Sequence, residues 1–136
     1  MTPKSILIAG MALALAAVLL GSFGTHFLEL KLAGWYDDAP ARLESWKTGV
    51  TYQMFHSLGL IGIGGIAMIR SRWRSISACS MFIGIFLFSG CLYGWVLTAQ
   101  TWIVMVVPIG GLAMIFGWLA AIIGLLQGPD ESTVQE

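Results

Sequence analysis

The sequence predicts an all-α integral membrane protein built as a four-helix bundle. Three features predict it: an apolar composition, four apolar segments of membrane-crossing length, and no period-two alternation of the kind a barrel needs. Hydrophobic residues make up 57 % of the 136 residues and charged residues only 10 %, whereas a soluble domain carries about a quarter charged residues. The mean hydropathy is +0.84, so most of the surface is expected to meet hydrocarbon.

The four apolar segments have similar lengths. Each is about 22 residues long, close to the ~20 that cross about 30 Å of hydrocarbon as a helix. Because backbone groups must be paired inside lipid, segments of this length are predicted to be helices. The predicted spans are residues 6–27, 48–69, 76–98 and 102–126. We assign them to one domain over residues 1–136.

The first segment is interpreted as a retained membrane anchor rather than a cleaved signal peptide. Lys4 provides the positive start that a signal peptide also has. However, the apolar run of about 18 residues exceeds the 7–15 of a usual signal core.

The polar parts of the chain are predicted to connect the spans and to end the chain. Residues 29–47 are predicted to form a polar loop, either simply solvated or offering an acidic surface to cations. Within it, Asp38 followed by Pro40 is typical of a helix start, so the second helix is expected to begin before the membrane. Residues 128–136 are predicted to form a short frayed tail.

The distribution of basic residues predicts the orientation. The link between the second and third spans holds Arg70, Arg72 and Arg74, and Lys4 lies on the same side after an even number of crossings. The opposite side holds Lys31, Arg42 and Lys47, but in a much longer loop. Basic residues concentrate in the short cytoplasmic loops of membrane proteins. Both termini are therefore predicted to be cytoplasmic.

Several function classes are disfavoured by the composition. The formal net charge is +0, which lacks the basic footprint of a nucleic-acid-binding protein. Cys79 and Cys91 stand about 18 Å apart along one helix, beyond the ~7 Å limit for a disulfide. Since neither an acid–base pair nor a cysteine–histidine metal spacing is visible, we predict no enzyme, no cofactor and no metal site.

A polar and aromatic face is predicted on the second helix. Tyr52, Gln53 and His56 share one face of a helical wheel, and polar faces of membrane helices point into the bundle. Counted at about 1.5 Å per residue, polar residues of the other helices fall near the same depth in the outer half of the bilayer. The predicted cluster consists of His26, Tyr52, Gln53, His56, Ser89, Tyr93 and Pro108.

Two further expectations concern the packing around this cluster. Pro108 has no N–H, so the carbonyl of Val104 is expected to need a donor from another helix. Three sets of small residues are spaced for close helix contact: Gly90 and Gly94, then Ala113, Gly117 and Ala121, and Gly59 to Gly65. The inner half of the bundle is expected to hold almost no polar groups.

Three interpretations of the cluster stay open: a hydrogen-bond network that fixes helix register, a ligand pocket or ion route, and a haem or metal site. We expect no buried Asp, Glu, Lys or Arg, and this absence argues against a pump or a proton-coupled transporter. His26 and His56 are expected to differ by about 12 Å in depth, which disfavours a shared iron.

Four blocks of the sequence carry a family resemblance. They are residues 23–26, 46–56, 88–93 and 108–118. In this order they resemble the signature blocks of the DUF423 family, a bacterial membrane family related to the eukaryotic transmembrane protein 256 group. The resemblance extends to about residue 126, with small departures at Gly49, Thr25 and Cys91. It implies a four-helix protein of the inner membrane and adds no activity, because the family has no established biochemical function.

The sequence therefore favours a structural or interaction protein. We expect it to pack with membrane lipids and with itself, as a homo-oligomer, or in a larger membrane complex. The alternative is an oligomeric channel or carrier for a small solute or ion, with its polar site around His56.

Overall fold

Four helices account for most of the chain. A computed structural model describes residues 1–130, and the described residues contain no strand. The helices are α1 (Pro3–Trp35), α2 (Ala39–Gly65), α3 (Ser71–Thr98) and α4 (Thr101–Leu126). The predicted all-α class is therefore confirmed.

Three of these helices are long and apolar enough to cross a membrane, namely α1, α3 and α4. Helix α2 has 27 residues but is more polar, because Gln53, His56 and Ser57 interrupt its apolar run. All three side chains are buried. Helix α2 thus keeps the three polar side chains of its apolar run inside the protein.

Helix α1 continues further than the sequence suggested. The structure corrects the polar loop predicted over residues 29–47, since Glu29–Trp35 extends α1 and α2 begins soon afterwards. The charges in this stretch suggested a loop, but Leu28 and Leu32 lie one turn apart and are buried. Both belong to one apolar cluster with Trp46, so an amphipathic helix covers this end of the molecule.

Helix α2 starts ahead of its apolar run, with Pro40 in the first turn. Asp38 precedes it, but its carboxylate makes no capping bond to the backbone. Instead, Oδ1 accepts a hydrogen bond from Arg42 Nε at 2.6 Å. This bond holds the pKa of Asp38 below its ordinary value of 3.8.

The helices associate in two pairs. Helix α1 packs mainly against α2, α3 packs mainly against α4, and α2 joins the pairs by packing against α3. Glycines allow the closest approaches: a Cβ on Gly110 would stand 2.4 Å from the backbone nitrogen of Phe88, and one on Gly10 would stand 2.9 Å from the carbonyl oxygen of Ser57. Small residues serve this purpose in membranes, where lipid removes the hydrophobic drive between helices.

The predicted contact at Gly90 and Gly94 is wrong. Outside its own helix and chain neighbours, no atom of the described residues lies within 4 Å of a Cβ built on Gly90, and the nearest to one on Gly94 is Ile103 Cδ1 at 3.6 Å. Gly117 on α4 makes a close contact instead, because a Cβ there would stand 2.7 Å from Met81 Cγ.

The chain start and the end of α4 lie at the same end of the molecule as the α2–α3 connection. The Met1 ammonium donates to Ser75 Oγ at 3.0 Å, and Arg70 Nε donates to Asp130 Oδ1 at 3.1 Å. The predicted tail, residues 128–136, lies outside the described residues from position 131 onward.

Candidate functional site: the polar face of helix α2

One side-chain amide links three helices. Gln53 is 4 % exposed, and its Nε2 donates to the carbonyl oxygen of Leu13 on α1 at 2.9 Å. Its Oε1 accepts a hydrogen bond from the Tyr93 hydroxyl on α3 at 3.0 Å. Gly49 makes room for this arrangement, since a Cβ there would stand 2.7 Å from Tyr93 Cε1. We call Leu13, Gln53 and Tyr93 the Gln53 bridge.

His56 lies one turn further along the same face and is 8 % exposed. Its Nδ1 lies 2.8 Å from the carbonyl oxygen of Tyr52. A carbonyl oxygen only accepts, so in the neutral ring Nδ1 carries the hydrogen and Nε2 keeps a lone pair. The imidazole ring lies between the rings of Tyr52 and Trp118, at centroid distances of 6.0 and 6.2 Å.

Ser89 is a polar residue of α3 that lies one turn before Tyr93. It is fully buried in a π-helical segment, Phe86–Gly90, and its Oγ has no hydrogen-bond partner among the described residues. Tyr93 contacts Gln53, and Met81 lies near Gly59. Ser89 lies between these two contacts along α3 and therefore stands at the level of the polar face of α2.

Two residues of the predicted cluster lie elsewhere. His26 is exposed and lines a shallow cavity between α1 and α2 together with Ser22 and Thr51. Because α1 crosses α2 on a different side from α4, His26 does not share the surroundings of His56, which rests against Trp118 on α4.

Pro108 is exposed as well, and its expected effect is absent. It stands in the first turn of the α-helical part of α4, after a 3₁₀ segment, Thr101–Val106. In that tighter geometry the carbonyl of Val104 accepts from the backbone N–H of Val107. The carbonyl is therefore already bonded, and no side chain of α2 or α3 is needed.

The sequence interpretation also missed a buried tryptophan. Trp46 is 2 % exposed, and its Nε1 donates to the carbonyl oxygen of Leu20 at 2.9 Å. The indole lies over Gly24, where a Cβ would stand 2.6 Å away. Its ring centroid lies 4.6 Å from that of Tyr93. The helical spacing of Trp46 with Gly49 and Gln53 is the signal that places it on the polar face.

Two arginines, counted only as loop charges in the sequence, are buried at opposite ends of the molecule. Arg42 Nη1 donates to the carbonyls of Trp95 and Val96 in the last turn of α3, at 3.1 and 3.3 Å. Arg74 Nη2 donates to three carbonyls of the α2–α3 connection, at 2.8 to 3.2 Å. Helix ends leave carbonyls without partners, and these guanidinium groups satisfy them.

The half of the molecule nearer the α2–α3 connection, predicted to hold almost no polar groups, also contains a buried hydroxyl. Ser77 on α3 is fully buried, and its Oγ donates to the carbonyl oxygen of Gly117 on α4 at 2.7 Å. Polar side chains therefore join helices in both halves.

The chemistry available to this arrangement is hydrogen bonding. The described residues contain no group of three histidine, cysteine or acidic side chains that could hold a metal ion. Within the described residues, two groups have no hydrogen-bond partner: the lone pair of His56 Nε2, which could accept, and the Ser89 hydroxyl, which could donate.

Comparisons with known proteins place the chain. The family profile described as "Protein of unknown function (DUF423)" matches residues 20–111. A UPF0382 membrane protein of Staphylococcus saprophyticus is 41 % identical over 124 residues, covering 89 % of this chain and 96 % of that protein. The UPF0382 membrane protein YwdK of Bacillus subtilis is 37 % identical over 126 residues, covering 91 % of this chain and 98 % of that protein.

A third relative carries a location in its name. The UPF0382 inner membrane protein YgdD of Escherichia coli is 32 % identical over 133 residues, covering 93 % of each chain. No solved structure matches this chain. The names of the relatives and the three membrane-length helices confirm the predicted location in a cell membrane. The chain belongs to the DUF423 family of membrane proteins, whose biochemical role is not established.

Proposed function

We propose that this chain is a non-catalytic packing protein of the inner membrane. All four helices cross the bilayer as a bundle, and the end that holds Met1, Arg70 and Arg74 faces the cytoplasm. Basic residues flank the short α2–α3 connection at this end, in line with the preference of short cytoplasmic loops for Lys and Arg. The polar side chains of α2 support its insertion as a span, because they are buried against α1, α3 and α4.

The observation that carries the role is the exposure of α1. In the most apolar window of α1, 17 % of residues are buried, against 39 % in α3 and 33 % in α4. Leu15 and Leu19 in the middle of α1 are each 62 % exposed. We propose that this face of α1 packs against a second copy of the chain or against a helix of a larger membrane complex.

Tryptophan substitution tests the proposed face. A lipid-facing position accepts the larger side chain, whereas a helix contact does not. We expect Leu15→Trp or Leu19→Trp to break the assembly seen by cross-linking in mild detergent and in native membranes. Leu112→Trp and Leu119→Trp on α4, where the native residues are 66 % and 51 % exposed, are the matched controls and should leave it intact. The packing role would be refuted if the α1 and α4 variants cross-linked to the same extent, or if the wild-type chain did not cross-link at all.

A channel or carrier for a small solute is the second candidate. It is favoured by the free lone pair of His56 Nε2 and the unpartnered Ser89 hydroxyl, as judged within residues 1–130. Solute or ion flux through proteoliposomes that falls in His56→Leu, with assembly intact, would favour this candidate over the packing role.

A further inference from the structure

A groove between α2 and α4 lies below the polar face, towards the end that holds Arg74. Its volume is about 650 Å³, and its walls are almost wholly apolar. Phe55 and Trp118 line its deep end, and Ile69 and Leu125 line the end near the α2–α3 connection. None of the polar side chains of the Gln53 bridge lines it.

The length of the groove matches one leaflet of a bilayer. From Phe55 to the last residue of α2 the helix rises about 15 Å, which is half of the ~30 Å hydrocarbon thickness. Phe55 stands near the middle of the α2 span, and Ile69 directly precedes Arg70. The groove therefore runs from the middle of the bilayer to the headgroups of one side.

The wall on the α2 side is open because of a glycine. Outside the neighbours in its own helix, no atom of the described residues lies within 4 Å of a Cβ built on Gly62. Gly59, one turn deeper, is covered by Trp118, whose ring would stand 2.9 Å from such a Cβ. The groove thus has a closed deep end and an open middle, a shape that suits a flexible hydrocarbon chain.

Two arginines follow Ile69, the lining residue at the mouth of the groove, in the chain. Arg70 follows Ile69, and its guanidinium is paired with Asp130. Arg72 is exposed, and no ion pair to it forms within residues 1–130. Exposed basic residues at a membrane surface attract anionic lipid headgroups, at about 1 kcal/mol each.

We propose that the α2–α4 groove binds one acyl chain of an anionic phospholipid of the cytoplasmic leaflet, with the lipid phosphate near Arg70 and Arg72. The proposal rests on the membrane embedding and orientation given above, and it is independent of what α1 packs against. The apolar groove holds the acyl chain, and the basic mouth selects the headgroup.

Trp118 offers a direct probe, because bromine atoms on a lipid chain quench tryptophan fluorescence on contact. The full chain is placed in mixed micelles doped with phosphatidylglycerol or phosphatidylcholine carrying dibrominated chains. The signal of Trp118 is taken as the difference between the wild type and Trp118→Phe. We expect phosphatidylglycerol to quench it at about fivefold lower lipid fraction, the factor that about 1 kcal/mol gives.

Two glycine variants provide the matched test of the groove. Gly62→Leu fills the open wall and should abolish quenching at low lipid fraction. Gly65→Leu is the control, since it also has no atom of the described residues within 4 Å outside its own helix neighbours but does not line the groove. Circular dichroism checks that both variants remain helical. Arg72→Gln should keep the quenching and remove the preference for phosphatidylglycerol.

Equal quenching by the two lipids would overturn the headgroup assignment. Quenching that survives in Gly62→Leu, or that is lost in Gly65→Leu, would overturn the groove. A second copy of the chain as occupant would show as a dimer that protects Trp118 from both lipids, and this would also refute the proposal. If the α1 tryptophan variants left the assembly intact while lipid quenching of Trp118 was observed, only the packing role would be refuted.

Discussion

The contact of α2 with α1 and α3 differs from the contact of α3 with α4. The first is joined by side-chain hydrogen bonds, from Trp46 to α1 and through Gln53 to both neighbours. Glycines also bring α1 and α2 together, as at Gly10, but the closest backbone approach lies between α3 and α4, where a Cβ on Gly110 would stand 2.4 Å from the nitrogen of Phe88. Among the described residues, two side-chain bonds join this pair: Ser77 Oγ donates to the carbonyl oxygen of Gly117, and Trp73 Nε1 donates to Gln127 Oε1 directly after α4.

The difference shows two solutions to one physical problem. Lipid tails are as apolar as leucine, so burial alone does not hold membrane helices together. Close packing gains dispersion energy over a large area, and it tolerates no added atoms. Each hydrogen bond is worth about 0.6 kcal/mol on average, but it fixes register and direction. We therefore expect the glycine contact to be the more fragile under substitution.

The largest effect is expected where the backbones are closest. Gly110→Ala should destabilise the protein by about 2–3 kcal/mol, the range for forced overpacking, because its new methyl group meets the backbone of α3. Gly111→Ala is the control, since its Cβ would stand 3.8 Å from Phe88 Cδ2. Unfolding by SDS titration in mixed micelles measures both. Similar stabilities of the two variants would show that α3 and α4 are further apart than described.

The second largest effect is expected at the α2–α3 connection. Arg74→Met removes the side-chain donor to three carbonyls and should destabilise the protein by about 1–3 kcal/mol, the cost of leaving buried acceptors unsatisfied. The neighbouring Arg72 is exposed, so Arg72→Met should change stability by less than about 0.5 kcal/mol. The same titration measures the pair, and equal effects would contradict the structural role of Arg74.

A smaller effect is expected from the Gln53 bridge. Gln53→Leu loses the bonds to Leu13 and Tyr93 and should cost about 1 kcal/mol. Thr51→Val on the exposed side of α2 is the control and should be neutral. A Gln53→Leu variant as stable as the wild type would mean that hydrogen bonds do not hold α2 in place.

The smallest effect is expected at Asp38, whose side chain is 50 % exposed. Its pKa is lowered in the folded protein, chiefly by the bond from Arg42, so the ionised form contributes stability at neutral pH. That contribution is complete above the ordinary value of 3.8 and is lost as the pH falls through the lowered pKa. The stability difference between the wild type and Asp38→Asn should therefore shrink below that pH. A difference that grows on acidification would contradict the sign.

The positions of the apolar helices could be predicted from the sequence, because length and hydropathy determine what can cross lipid. The face of α2 could be predicted too, since Gln53 and His56 share it by helical spacing and both are buried. His26 was misplaced because the sequence does not give its direction around α1.

The remaining errors have one cause, which is that hydrogen-bond partners depend on tertiary contacts. Arg42 and Arg74 were read as loop charges, although each bonds to backbone carbonyls of another segment. The carbonyl of Val104 was expected to lack a donor because a regular α-helix was assumed around Pro108, whereas a 3₁₀ turn supplies one. The positions of charged residues and prolines in the sequence do not predict these hydrogen-bond partners.

A double-mutant cycle between Gln53 and Tyr93 tests the central claim most directly, that the polar side chains of α2 hold the helices together. Free energies of unfolding are measured for the wild type, Gln53→Leu, Tyr93→Phe and the double variant. We predict a coupling energy of about 0.6 kcal/mol or more, the average for a hydrogen bond between membrane helices. Additive effects, with no coupling, would contradict the account.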